Sequence, residues 1–169
     1  MSQSQFEPDV GMSLKVAMRR MASAVSIVTA VDAAGERAAM TATSVTSLTL
    51  DPPSMLVCIN RNARIHRFLE AAGNFCINIL AADQIVHAQA CGGGSVPGER
   101  FAIPGWDEKA GIPVLDGAQA AILCRQKSQM TFGTHDIVIG EVMKVLIGNT
   151  DVDPLLYIDG SYARVGEKI

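Results

Sequence analysis

The sequence has few charged and few aromatic residues. Of its 169 residues only 18% are charged and 5% are aromatic, and 14 basic against 17 acidic residues give a net charge of −3. Binding to nucleic acid needs a surplus of lysine and arginine, or rings on which bases stack. We therefore expect no nucleic-acid partner. The 49% hydrophobic content argues equally against a disordered chain.

Long apolar runs are also lacking. No stretch approaches the roughly 20 apolar residues of a membrane span, and the polar, acidic residues 1–11 resemble neither a secretory signal nor a transit peptide. We therefore expect no membrane segment. The cysteines contain no C-x-x-C pair, which predicts free, mostly buried thiols in a reducing cytoplasm; they are Cys58, Cys76, Cys91 and Cys124.

The sequence lacks the usual motifs for a metal site or a serine nucleophile. The three histidines, His66, His87 and His135, stand far apart, with no H-E-x-x-H motif and no Cys/His cluster. No serine lies in a G-x-S-x-G motif. We therefore expect no metal. His66 and His87 fall in predicted amphipathic helices, where surface positions are the simplest interpretation.

The length corresponds to one domain. We predict a loose arm over residues 1–12 and a single domain over 13–169. Ser13 is the predicted cap of a first helix. A second helix is predicted over 65–72, closed by Gly73, and a third from a cap at Asp83 to about Ala90.

Alternating apolar residues predict strands in most of the remaining chain. The glycine- and proline-rich stretch 91–113 is predicted to be a loop. Because helices are few and hairpin spacing is common, an antiparallel barrel or sandwich is favoured over a parallel sheet. The predicted strands cover residues 25–31, 36–45, 54–60, 74–80, 120–126, 129–132, 136–147 and 155–158.

Six hydroxyl side chains are concentrated between residues 41 and 49 without a charged neighbour. They are Thr41, Thr43, Ser44, Thr46, Ser47 and Thr49. One interpretation is a solvated strand face, since threonine favours strands. The other is a cradle of hydroxyl and backbone donors for a polar, partly anionic ligand, with Arg61 and Arg64 supplying positive charge for a phosphate. The residues alone leave both interpretations open.

The order of several short motifs is more specific than any one of them. SAVSIVT (23–29) is followed by AMTATSV (39–45), SLTLDPP (47–53) and SMLVCIN (54–60). Further matches are NFCINIL (74–80), ERF (99–101), GIPVLDGAQAAILC (111–124), GTHDIVIGEV (133–142) and PLLYIDGSYARV (154–165). Over residues 23–165 the chain resembles the short-chain flavin reductases, which are the reductase components of two-component flavin-dependent monooxygenases.

This resemblance implies a mainly β fold with a few short helices, an antiparallel Greek-key FMN-binding split β-barrel that forms a homodimer. The implied activity is hydride transfer from NADH or NADPH to FMN or FAD, with the reduced flavin supplied to a partner monooxygenase. One alternative is a tightly bound FMN that reduces another acceptor, such as a corrinoid. Another is a non-catalytic split-barrel protein that binds flavin or haem.

The resemblance also implies roles for individual residues. Residues 40–44 would line the isoalloxazine edge, while Ser47 and residues 60–62 would lie toward the ribityl phosphate. His135 would face the nicotinamide as the catalytic residue; the residues alone, without the resemblance, favour a turn histidine bonded to Asp136 or to backbone. The implied cofactor-binding residues are Met40, Thr41, Ala42, Thr43, Ser44, Ser47, Cys58, Ile59, Asn60, Arg61, Asn62 and Arg100.

Overall fold

The computed structural model describes residues 9–94, 98–148 and 151–167. Three helices are α1 Val10–Met18, α2 Ile65–Ala72 and α3 Ile85–Gln89, and shorter helical turns cover Ala90–Gly94 and Glu99–Phe101. The strands are β1 Ser23–Ala24, β2 Ser26–Val31, β3 Arg37–Ala42, β4 Val45–Leu50, β5 Pro53–Asn60, β6 Asn74–Ile79, β7 Trp106–Lys109, β8 Ile112–Leu115, β9 Ala120–Phe132, β10 His135–Ile147, β11 Leu156–Ile158 and β12 Ser161–Ala163.

Seven strands form the main sheet, in the order β3-β2-β6-β9-β10-β5-β4. Every neighbouring pair in this sheet is antiparallel. A three-stranded sheet, β1-β11-β12, and the hairpin β7-β8 complete the fold. The prediction of a mainly β, antiparallel split barrel with a few short helices is confirmed.

Helix α2 packs against the core as its sequence pattern predicts. Ile65, Phe68 and Leu69 are almost fully buried and share one apolar cluster with Phe75 of β6 and Val138 of β10. Spacings of three and four residues place the first three side chains on one face of the helix. Gly73 ends α2 with a φ of 65°, a conformation that glycine adopts without steric cost.

Two helices begin at other residues than predicted. Helix α1 begins at Val10, because the side chain of Asp9 accepts a hydrogen bond from the Gly11 backbone N–H at 3.0 Å. Ser13 is therefore not its cap, and residues 10–12 are helical, while residues 1–8 of the predicted arm lie outside the described part of the chain. Helix α3 follows Gln84, not Asp83; the Gln84 side chain accepts from the Ala81 N–H at 3.0 Å.

Tertiary pairing changes three of the predicted strand boundaries. The strand predicted over 36–45 is two strands, β3 and β4, because the chain leaves β2 at Thr43 and pairs next with β5. The strands predicted at 120–126 and 129–132 are one strand, β9, which β10 pairs along its whole length. The stretch 91–113, predicted as a loop, contains β7 and the beginning of β8.

Candidate functional site

The link between β3 and β4 lies against strand β5. The Ser44 hydroxyl donates to the Cys58 carbonyl at 2.9 Å, and the Cys58 N–H donates to the Ser44 carbonyl at 3.1 Å. Thr43, beside it, is exposed. Two hydrogen bonds in opposite directions hold this part of the hydroxyl-rich segment in a fixed position. The predicted cofactor residues Thr43, Ser44 and Cys58 are thus neighbours.

A cavity of about 500 Å³ opens beside this link. Thr43 and Ser44 form part of its wall, and Met18, Met21 and Tyr157 supply apolar surface. The volume lies within the range of small-molecule sites, which combine apolar walls with a few polar groups. The sequence did not predict that α1 and β11 would line this cavity. Local sequence patterns carry no information about contacts between residues so far apart in the chain.

Arg19 fixes the end of α1 over this cavity. Its Nε donates to Asp159 Oδ1 at 3.0 Å and its Nη2 to the Asp159 carbonyl at 3.1 Å, and the Asp159 N–H donates to the Arg19 carbonyl at 2.8 Å. Asp159 and Gly160 form the turn between β11 and β12. The Asp-Gly pair is typical of tight hairpin turns and could have indicated this hairpin from the sequence.

A second group of predicted residues meets where β5 and β10 end. His135 is directly opposite Asn60 in the strand register, and the Arg61 N–H donates to the Thr134 carbonyl at 3.0 Å. Asn60 Oδ1 accepts from the Asn62 N–H at 2.8 Å, which shapes the turn after β5. Tertiary pairing therefore brings His135 and the segment 60–62 together across a long separation in sequence.

The His135 ring is exposed and its Nδ1 lies 2.9 Å from the Thr134 hydroxyl. Asp136, the other partner considered from the sequence, instead lies within 2.5 Å of His66 Nε2 and of Gln129 Nε2. The two side chains separate because successive residues of a strand point to opposite faces. His135 therefore presents its ring outward at the end of the sheet.

The prediction that His66 is a surface residue is wrong. Its side chain is only 12% exposed and contacts Asp136, which is buried. The hydrogen bonds from His66, Thr131 and Gln129 outweigh the effect of burial and lower the pKa of Asp136 from 3.8 to about 2. His87 is half-buried, with its Nε2 2.9 Å from the Pro104 carbonyl.

Other predicted cofactor residues have side chains that point into the protein. Ile59 and Ala42 belong to the buried core, and Met40 packs partly against it. The Thr41 hydroxyl donates to the Ala88 carbonyl at 2.6 Å. Ser47 is exposed on β4. The hydroxyl residues therefore have different surroundings. Thr41 makes a hydrogen bond within the protein, Thr43 and Ser44 line the cavity, and Ser47 is exposed.

Two predicted cationic residues have protein partners. Arg64 is ion-paired with Glu36 of the β2–β3 hairpin, which also accepts from Arg67 Nη2 at 2.8 Å. Arg64 and Arg67 share this one carboxylate, so the group keeps a net positive charge, and the role of Arg64 toward a phosphate stays a prediction. Arg100 Nη1 donates to the Ala39 carbonyl at 2.7 Å. Arg61 is exposed, and no ion pair involves it within the described residues.

The four cysteines are free, as predicted, and Cys76, Cys91 and Cys124 are buried. Burial raises the pKa of the Cys76 and Cys124 thiols to about 12 and that of Cys91 to about 11. Because the thiolate is the reactive form, these three thiols are inert packing groups. In the described residues, no helix combines the length and the apolarity that crossing a membrane demands.

Residues 18–166 match the family described as flavin reductase like domain. The chain is 37% identical over 155 residues to the reductase component of an FADH(2)-dependent resorcinol hydroxylase from Rhizobium sp. (strain MTP-10005), covering 90% of this chain and 86% of that protein. It is 42% identical over 147 residues to an FMN reductase (NADH) of Agrobacterium fabrum (strain C58 / ATCC 33970), covering 86% of this chain and 83% of that one.

A solved structure with the same fold is the Streptomyces globisporus C-1027 NADH:FAD oxidoreductase in complex with NAD and FAD fragments. The TM-score is 0.85 at 28% sequence identity, with 96% of this chain and 97% of that chain covered. The predicted family and the predicted flavin-reducing activity are confirmed. From the match over nearly its whole length and from these relatives, the chain belongs to the flavin reductase like domain family.

Proposed function

We propose that this protein transfers a hydride from NADH or NADPH to FMN or FAD at the site formed by Thr43, Ser44 and the end of β5. The observation that carries the proposal is the match of residues 18–166 to the flavin reductase like domain, and it is supported by the position of Thr43 and Ser44 in the wall of a cavity. Bound flavin would accept the hydride from the nicotinamide. The protein's contribution is to bind both rings in contact and to orient them.

The residues present suit a flavin. Met18, Met21 and Tyr157 offer an apolar wall for a flat ring, while Thr43 and Ser44 offer hydroxyl and backbone groups for its polar edge. In this proposal residues 40–44 line that edge, Ala42 through its backbone. Beyond the ring, Ser47, the backbone of Cys58 and Ile59, and Asn60–Asn62 lie toward the phosphate. Arg61 is the cation for the phosphate because its charge is not neutralised by a described carboxylate.

His135 positions the nicotinamide in this proposal. Its exposed ring stands opposite Asn60, and the Thr134 hydroxyl orients it. No acid–base pair is required of the protein, because hydride transfer takes place between the two cofactors. His135 therefore acts as an orienting group and not as a proton donor.

Reduced flavin leaves, in our proposal, for a flavin-dependent monooxygenase. The Rhizobium relative is the reductase component of a hydroxylase, which supports this kind of partner. We also propose a homodimer, supported by large apolar side chains that are exposed on α1, β4 and the far end of β10. The cytoplasmic location and the absence of nucleic-acid and membrane partners stay predictions.

A steady-state assay that crosses NADH and NADPH with FMN and FAD tests the proposed activity. Rapid oxidation of the nicotinamide that depends on added free flavin is the expected result. Protein that stays yellow after dialysis and turns over without added flavin would point to tightly bound FMN and another acceptor. Flavin binding without any nicotinamide oxidation would contradict the proposed enzyme activity and would favour a non-catalytic flavin-binding protein.

A further inference from the structure

Arg100 lies against the free edge of the main sheet. It belongs to the helical turn Glu99–Phe101, and its Nη1 donates to the Ala39 carbonyl at 2.7 Å. Strand β3, which contains Ala39, is the last strand at this edge and pairs with β2 alone. An edge strand presents backbone groups that have no strand partner. Arg100 satisfies one of them from outside the sheet.

A second hydrogen bond joins the same strand to the same segment of chain. The Thr41 hydroxyl donates at 2.6 Å to the carbonyl of Ala88 in α3. Ala88 and Cys91 are buried with Ala39 in one apolar cluster. Helix α3 and the turn Glu99–Phe101 are therefore each attached to β3 by one hydrogen bond, on either side of Met40.

Arg100 lacks a carboxylate partner among the described residues, and part of its guanidinium is buried. Arg19, Arg64 and Arg67 each have a carboxylate partner, whereas no ion pair of the described residues involves Arg100. Its Nε is buried without a hydrogen-bond partner among the described residues. Burying a charged donor in this way costs free energy.

We propose that Arg100 and Thr41 form a clamp that fixes the backbone of β3 at Ala39–Thr41, and that Arg100 is a positioning residue for the flavin site and not a ligand of the cofactor. The inference rests on the proposed function, in which residues 40–44 line the flavin. Arg100 Nη1 is engaged with Ala39 and its Nε is buried. The clamp acts on the flavin through the strand that it holds.

The chain contains one tryptophan, and it reports on this clamp. Trp106 Nε1 donates to the Arg100 carbonyl at 2.9 Å, and its ring centroid is 5.1 Å from that of Phe101. A movement of the turn Glu99–Phe101 therefore changes the surroundings of the indole. Its fluorescence in the flavin-free protein gives a readout that does not depend on activity.

The test compares Arg100→Met, Arg100→Lys and Thr41→Val with Arg37→Met as the matched control. Arg37 is an exposed residue of β3 whose guanidinium carbon is 4.6 Å from the Phe101 ring centroid, and no described hydrogen bond links its side chain to the strand. Loss of a hydrogen bond from a charged group predicts that Arg100→Met raises the KM for flavin about tenfold or more and shifts the Trp106 emission to longer wavelength. Arg100→Lys restores part of both, and Arg37→Met leaves the KM for flavin nearly unchanged.

A double-mutant cycle distinguishes one clamp from two unrelated bonds. Because Arg100 and Thr41 act on the same segment, the losses of unfolding free energy in Arg100→Met and Thr41→Val are not additive in the double variant. Additive losses would overturn the clamp. An unchanged KM in Arg100→Met would also overturn it, as would a raised KM with unaltered Trp106 emission, which is the behaviour of a direct ligand.

These outcomes are separable from failure of the proposed function. If the wild-type protein reduces neither FMN nor FAD with either nucleotide, the proposed function fails. The Trp106 emission and the double-mutant cycle still decide whether the clamp exists, because both are measured without flavin or nucleotide.

Discussion

At the scale of single residues, His135 illustrates how strand pairing creates a site. Its exposed ring is held beside the Thr134 hydroxyl and opposite Asn60. The change His135→Ala removes one hydrogen-bonding group, a loss that corresponds to a rise of about 3- to 10-fold in the KM for NADH. Flavin affinity stays within about twofold. Steady-state kinetics and flavin titration measure the two quantities.

Thr134→Val tests the same role of His135 with a milder change. It leaves the His135 ring in place but removes the hydroxyl that orients it, so we expect a smaller rise in the KM for NADH than in His135→Ala. An unchanged KM for NADH in His135→Ala would refute the positioning role. An equal loss of flavin affinity would place the ring against the flavin instead.

Asp136 makes the stability of the protein sensitive to acid. Hydrogen bonds from His66, Thr131 and Gln129 lower its pKa to about 2, below its ordinary value of 3.8. A lowered pKa means that the folded state holds the proton less tightly than the unfolded state. The stabilisation is therefore complete above about pH 4 and is lost as the pH falls toward about 2.

Urea unfolding at a series of pH values tests this expectation. Asp136→Asn removes the ionisable group, so the decline in unfolding free energy between about pH 4 and pH 2 becomes shallower than in the wild type. Asp151→Asn, at an exposed carboxylate, is the control and keeps the wild-type slope. Parallel slopes for all three proteins would mean that Asp136 titrates normally.

At the scale of elements, Gly140 decides how closely β10 approaches β6 and β9. A Cβ at this position would lie 2.5 Å from Phe75 Cζ and 2.7 Å from Cys124 Cβ. The strand register also shifts between Ile139 and Gly140. Phe75 and Cys124 are both fully buried, so neither can easily move away from an added methyl group.

Gly140→Ala therefore destabilises the fold by overpacking, by about 1–3 kcal/mol. Equilibrium unfolding in urea measures the loss. Gly166→Ala is the control, because Gly166 is exposed and has nothing within 4 Å of the added methyl group. Equal stability of the Gly140 variant and the wild type would show that β6 and β9 move apart at little cost.

At the scale of the whole molecule, the exposed apolar surface supports self-association. No residue of α1 is buried, Leu50 on the edge strand β4 is 88% exposed, and Ile147 at the end of β10 is 75% exposed. Val145 and Ile147 alternate along β10 and therefore lie on the same face of the strand. Apolar area of this kind is stabilised when a second copy covers it.

The double change Leu50→Glu and Val145→Glu places charges on this surface, and we expect it to shift the proposed dimer to a monomer. Sedimentation or light scattering after size exclusion measures the mass. Val86→Glu is the control, because Val86 is an exposed apolar side chain on α3, away from β4 and β10 in sequence. A wild-type protein of monomer mass would overturn the proposed homodimer.

Local sequence patterns predict the elements whose contacts are local. The apolar spacing of Ile65, Phe68 and Leu69 and the glycine at position 73 predict α2 over 65–72, because helix packing repeats over a few residues. The short apolar run 54–60 predicts a buried strand, and β5 covers Pro53–Asn60. The ordered motifs from 23 to 165 were specific enough to indicate the family and its activity.

Features that depend on distant partners were beyond local patterns. The division of 36–45 into β3 and β4 depends on which strand each half pairs with, and the length of β9 depends on β10. The bonding of Thr41 to Ala88 and of Arg64 to Glu36 likewise joins residues far apart in the chain. Residue types alone do not indicate these bonds, because each depends on a partner that the fold brings close.

Composition and periodicity by themselves indicated one mainly β, antiparallel domain, because they are properties of the chain. The order of the motifs, through the resemblance, indicated the family and the flavin. Only the tertiary structure decided which of the predicted residues face a cavity. Side-chain direction along a strand reverses at every residue, and each bulge or strand break changes it. Thr43 therefore reaches the cavity while Ile59 lies in the core, and α1 contributes a wall that no local pattern indicated.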